Sequence, residues 1–229
     1  CTHMIVIFLA GLVLLFLPQV WAKRIMAKNS YERDDIPGSG EQFAQHLITN
    51  LKLTDCKILE DQRNLGDHYD PESKSVVLSK GNFHSKSLTA IVVAGHEIGH
   101  AYQDHIGFKP LKLRTSLVRW AAKAEKLASI ILLASPIIVF LTKMPIIGGI
   151  VFLSAFGVMA LPVLVHLLTL PTELDASFKR ALPILSAGYI KKEDLKVAKQ
   201  ILLACSLTYL AASLAGLLNL WRWIRLLRR

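Results

Sequence analysis

The chain has 229 residues, 52% hydrophobic and 19% charged, with a mean hydropathy of +0.41, more apolar than an ordinary soluble domain. Its net charge of +10, from 27 Lys+Arg against 17 Asp+Glu, raises nucleic acid as a partner. The basic residues instead flank apolar segments without aromatic interleaving, as membrane-span flanks do, and no nucleic-acid partner is expected.

Residues 4–20 are apolar except for Gln19, and Lys23, Arg24 and Lys28 follow them. The run just reaches the roughly 17 residues that a membrane helix needs. A signal peptide competes, because Val20 and Ala22 suit a small-residue cleavage site, but no Lys or Arg precedes the run. An uncleaved anchor over residues 4–22 is therefore expected.

A mixed polar segment follows. Residues 36–40, Ile-Pro-Gly-Ser-Gly, read as a loop, and Phe43, Ala44, Leu47, Ile48 and Leu51 recur at helical spacing over 41–51. Short strands are expected at 56–59 and 75–78, with turn chemistry between them in His68-Tyr69-Asp70-Pro71-Glu72-Ser73. Residues 87–105 read as a helix whose buried positions include Leu88, Ile91, Val92, Ile98 and Ala101. Three more apolar stretches, 127–141, 146–170 and 201–220, are candidate spans, the first two joined as a tight hairpin. The last ends in Trp221-Arg222-Trp223-Ile224-Arg225, residue types suited to a lipid–water interface. The three cysteines, Cys1, Cys56 and Cys205, have no CxxC spacing and make no disulfide framework.

If all four apolar segments span, residues 21–126 and 171–200 share one side and hold 22 of the 27 Lys and Arg. The positive-inside rule makes that side cytoplasmic. Arg222, Arg225, Arg228 and Arg229 run against the assignment and leave the side of the C-terminus open.

The chemistry lies in His96-Glu97-Ile98-Gly99-His100. Two histidines four apart project from one face of a helix and can reach one ion, and neutral imidazole suits zinc. Glu97, beside the first histidine, can reach a water on the metal rather than the metal itself, the position of a general base in zinc hydrolases. Two imidazoles and a carboxylate on an otherwise apolar helix are costly unless they bind something.

A catalytic zinc needs a third protein ligand and an open position. His105 is turned away from the motif's face, His84 and His68 lie in loops or turns upstream, and His166 suits a polar contact between apolar helices. Glu173, in Leu170-Pro171-Thr172-Glu173-Leu174-Asp175-Ala176-Ser177, follows the return of the hairpin to the side of His96. It reads equally as a third ligand or as a solvated carboxylate opening a helix.

At these residues the chain resembles the YugP-like neutral zinc metallopeptidases of bacterial membranes. The likeness runs through Asp67-His68-Tyr69-Asp70-Pro71, Val77-Leu78-Ser79, the stretch from Ala94 to Gln103, the stretch from Leu170 to Ser177, and Leu207-Thr208-Tyr209. It implies a zinc-dependent peptidase with Zn2+ ligands His96, His100 and Glu173 and with Glu97 as base. A looser similarity connects it to the HtpX heat-shock and CAAX prenyl proteases, which place an aspartate four residues after the glutamate ligand; here that position is Ser177. His68 and Tyr69 could also serve a developing oxyanion, although Asp67 to Pro71 is better read as fixing a hairpin.

The expected molecule is thus mainly α, a membrane bundle of about four apolar helices carrying a cytoplasmic zincin-like catalytic region with a small β-sheet or hairpin. Its parts are an anchor (4–22), a catalytic region (23–126), a membrane hairpin (127–170), a third-ligand segment (171–200) and a C-terminal apolar helix with a basic tail (201–229). The expected function is a multi-pass endopeptidase of the bacterial cell membrane acting on peptides or membrane proteins. A catalytically inactive adaptor retaining a structural zinc is the alternative. Residues 75–78 are a candidate strand for holding an extended substrate by edge pairing.

Overall fold

The computed structural model describes residues 17–217, so most of the expected anchor and the basic tail lie outside the described residues. The chain divides into two compact units. Leu17–Lys112 and Leu170–Thr208 form one, and of the described residues Leu113–Thr169 and 209–217 belong to the other.

In the first unit, residues 17–28 are helical (α1). Helix α2, Gly40–Asn50, opens on a capping box in which the Gln42 amide N–H donates to Ser39 Oγ and the Ser39 N–H donates to Gln42 Oε1. It turns Phe43, Ala44, Leu47 and Ile48 into the core, the spacing expected of an amphipathic helix.

Strands β1 (Lys57–Glu60), β2 (His68–Asp70) and β3 (Ser75–Leu78) form a sheet in the order β1-β3-β2. β1 runs parallel to β3, and β2 pairs antiparallel to it with Tyr69 opposite Val76. His68 to Asp70, read from sequence as turn residues, are therefore strand. The turn begins at Pro71, where Asp70 Oδ1 accepts from the Glu72 N–H and Oδ2 from Ser73 Oγ. The substrate-pairing expectation for residues 75–78 is corrected too. β3 is the central strand and its backbone groups are engaged on both sides, so no peptide can add there.

After α3 (Lys80–His84), Ser87 caps α4, Leu88–His105, through the Ala90 N–H. Every residue from Leu88 to Ala101 is buried. A helix enclosed on all sides carries an apolar sequence all round, and this one does, apart from Thr89 and its motif.

The chain returns to this unit in the last turns of α7 (Leu161–Leu174) and passes directly into a π-helical turn, Asp175–Ala181. Short α8 (Leu182–Ile184), a second π turn (Leu185–Tyr189) and a 3-10 turn (Lys192–Asp194) lead to α9, Leu195–Leu217. Ala198, Ile201, Leu202 and Cys205 of α9 complete the core.

One ion-pair network holds the start of this unit to the entry of α9. Arg33 donates to both oxygens of Asp194, at 2.9 and 2.8 Å, and to both of Asp35, at 2.9 and 2.6 Å, while Lys191 lies 3.1 Å from Asp35. The Arg33 guanidinium, helped by Lys191, holds the Asp35 carboxyl well below the usual carboxylate range. A carboxyl depressed by folding stabilises the fold above its ordinary pKa of about 3.9 and ceases to do so as pH falls through the depressed value. Arg33→Ala is expected to lower the thermal midpoint by several degrees at pH 7, with the gap from wild type closing in acid. An equal gap at pH 7 and pH 2 would remove Asp35 from the account.

In the second unit, α5 (Lys109–Thr142, most of which lies here) and α6 (Pro145–Met159) are joined only by Lys143 and Met144. A Cβ on Gly148 would overlap the Val139 side chain, so this glycine is what lets α6 fold back closely on α5. The apolar stretch 146–170, expected as one span, is divided: α6 ends at Met159 and α7 begins at Leu161. Pro162 has no N–H to continue the helical ladder but is tolerated in a first turn. Among the described residues one helix, Lys192–Ser213, is by itself long and apolar enough to cross a membrane, with a mean hydropathy of 1.3. Lys109–Leu132 and Ala134–Thr142, bent by 43°, qualify as a pair. The observed molecule is thus mainly helical with a three-stranded sheet.

Candidate metal centre

Four residues apart on α4, His96 and His100 lie ring to ring, with centroids 4.7 Å apart and planes at 82°. They and the carboxylates Glu97 and Glu173 are all at most 5% exposed. Glu173 comes from the last turn of α7. Its Oε2 lies 3.1 Å from His100 Nε2 and 3.4 Å from His96 Nε2, and one ligand atom of each residue lies within 4.8 Å of the other two.

The opposite nitrogens of the rings are occupied. His96 Nδ1 is 2.8 Å from Ser177 Oγ, and His100 Nδ1 is 3.0 Å from Gln103 Oε1. Glu173 and Ser177, four apart, thereby meet the two ends of one imidazole. Two buried imidazole nitrogens and a carboxylate oxygen turned toward one another fit zinc and are costly without a cation between them. Among the described residues no fourth His, Cys, Asp or Glu joins the group.

Gly99 makes the convergence possible. A Cβ at this position would lie 2.6 Å from Ala176 O and 3.2 Å from Ala176 C, so a hydrogen in place of a side chain lets the π turn come against α4. π-helical turns are often found at functional sites; here the turn follows directly on Glu173 and carries Ser177.

A family model described as "Putative neutral zinc metallopeptidase" matches residues 4–228. The chain belongs to this family. It is also 32% identical over 224 residues, 96% of each chain, to "Putative membrane protease YugP" of Bacillus subtilis (strain 168). No solved structure matches the chain significantly.

In this neutral zinc metallopeptidase family member no other histidine among the described residues joins the converging group. His105 is exposed, and His84 pairs with Glu60 at 3.3 Å. His166 of α7 stacks on Tyr209 of α9 with ring centroids 5.7 Å apart. His68 Nδ1 lies 2.8 Å from Gly66 O, and Tyr69 Oη donates to Asp104 Oδ2 at 2.9 Å. Burial, reinforced by Asp104, pushes the Tyr69 phenol far up, so its proton stays on that hydrogen bond.

The groups that sequence reading missed are those behind the ligands. The Ser177 hydroxyl supplies the contact to His96. Its Oγ is 2.9 Å from Leu202 O and 2.8 Å from Ser206 Oγ. Gln103 stands three residues after His100, hence on the same face, and that spacing was the signal for it. Nothing local marks Leu202 or Ser206, which reach the site from α9.

Proposed function

We propose that the chain is a membrane-bound zinc endopeptidase in which His96, His100 and Glu173 hold the ion and Glu97 is the general base. The convergence of those three buried donors beside Glu97 carries the reading. Bound there, zinc would polarise a scissile carbonyl and bring the pKa of a water down to about 7. Glu97, about 100° round the helix from His96, takes a proton from the attacking water on its carboxylate and returns it to the leaving amine. Ser177 and Gln103 hold the two imidazoles in place from behind, and the buried surroundings exclude competing water.

The membrane part of the proposal draws on the relative's name and on the exposed stripe of α5. Arg119, Trp120, Lys123 and Lys126 are exposed, and from Leu127 the stripe continues as Leu127, Ile130, Ile131, Ile137 and Leu141. Glu125 faces inward, at 7% exposure. Basic residues and a tryptophan giving way to aliphatic side chains suit passage from headgroups into hydrocarbon. We take this stripe as the cytoplasmic entry of a multi-pass arrangement, with the peptidase site on the same side and peptides or membrane proteins as substrates.

The test uses the full chain, extracted from bacterial membranes with detergent. About one zinc per chain is expected, with casein cleavage that stops on chelation and returns when zinc is restored. Zinc retained without cleavage of casein or membrane peptides would favour the structural-zinc adaptor, and recovery in the soluble fraction without detergent would overturn the membrane assignment.

A further inference from the structure

We infer that Gln103 is a positioning residue for the metal centre: its side-chain amide, fixed in one orientation by Asp175 and Thr172, decides which nitrogen of His100 carries hydrogen and so turns the Nε2 lone pair toward the ion. This rests on the zinc reading above and adds a role for residues outside the ligand set.

Gln103 is fully buried, and its Nε2 lies 2.8 Å from Asp175 Oδ2 and 3.0 Å from Thr172 O. The Thr172 carbonyl can only accept. Asp175 Oδ2 is also an acceptor, since it receives the Arg180 Nε–H at 3.1 Å, and Asp175 Oδ1 lies 3.9 Å from Lys179 Nζ. The amide must therefore present its NH2 to both partners, because a flip would set its carbonyl oxygen against two acceptors in a buried place.

That leaves Oε1 facing His100 Nδ1 at 3.0 Å. An amide oxygen only accepts, so Nδ1 bears the hydrogen and Nε2 bears the lone pair. The constraint passes from Arg180, whose guanidinium lies 5.5 Å from the Tyr102 ring centroid, through Asp175 and Gln103 to His100. His96 has no such lock. Its partner Ser177 is a hydroxyl that donates to Leu202 O at 2.9 Å and can accept from His96 Nδ1, so that contact rests on a hydroxyl rotor rather than on a fixed amide.

The test measures zinc affinity by chelator competition and the visible absorption of the cobalt-substituted protein, which reports ligand geometry independently of turnover. Gln103→Leu, close in size but unable to accept, is expected to weaken zinc binding about 10–100-fold and to change the cobalt spectrum. Asp175→Asn, whose amide oxygen can still accept from Gln103 and Arg180, is expected to bind zinc more tightly than Asp175→Leu, which removes one of the two acceptors that fix the Gln103 amide. Gln103→Leu protein with wild-type affinity and spectrum would overturn the inference, as would Asp175→Asn protein no better than Asp175→Leu. Melting curves of the metal-free proteins separate a folding defect from a binding defect. Wild-type protein that binds no zinc would instead remove the reading on which the inference rests.

Discussion

Glu97→Gln is expected to lower kcat for peptide hydrolysis by about 10²–10⁴-fold, the usual contribution of a positioned general base, while zinc per chain stays at the wild-type level. Glutamine keeps the size and shape of the side chain, so packing around a residue only 5% exposed is preserved. What it loses is the carboxylate that can take a proton. The same burial keeps solvent buffer from standing in as a base. Because Glu97 is not one of the three converging donors, metal content should not follow activity down. Zinc analysis and turnover on one preparation decide the matter: wild-type rates would remove Glu97 from the chemistry, and parallel loss of zinc would place it among the ligands.

The second large effect is expected at Gly99→Ala. The added methyl group would sit 2.6 Å from the Ala176 carbonyl oxygen, a backbone atom that no rotamer change can move aside. Overpacking of this kind costs about 1–3 kcal/mol, and relief requires the π turn to retreat from α4. That turn follows directly on Glu173 and carries Ser177, so stability and zinc affinity should fall together, although neither residue has been touched. Gly95→Ala is the control, since its Cβ would meet nothing closer than 3.6 Å and should leave zinc binding close to wild type. If Gly99→Ala melts and binds zinc as wild type does, the close approach is not what assembles the site.

What the sequence revealed followed the range of the signals. His96, Glu97 and His100 were legible because their chemistry repeats at the helical period within a single element. Helices α2 and α4 were legible for the same reason, through Phe43 to Ile48 and Leu88 to Ala101. Glu173 needed an argument about chain return, and from the residues alone it stayed balanced against a solvated carboxylate. The sheet order escaped because pairing is non-local: nothing in residues 75–78 says that β1 and β2 will flank them. The break at Ala160 was overlooked because hydropathy is uniform across it, while the interruption comes from the missing N–H of Pro162. Ser177 was noticed only as a departure from an expected carboxylate, and its partner Leu202 O, a main-chain atom, has no sequence signature.

The donors are unevenly spread along the chain, and that gives assembly an order. His96, His100 and Gln103 occupy one helix, so part of the centre is in place as soon as that helix forms, whereas Glu173 lies 73 residues beyond His100 and Ser177 lies 81 beyond His96. A nascent chain halted between residues 100 and 173 has two imidazoles and no third donor. On the zinc reading proposed above, acquisition of the ion would be tied to synthesis of the intervening α5, α6 and α7. On that reading an incomplete product would lack one of the three ligands and hold its metal more weakly.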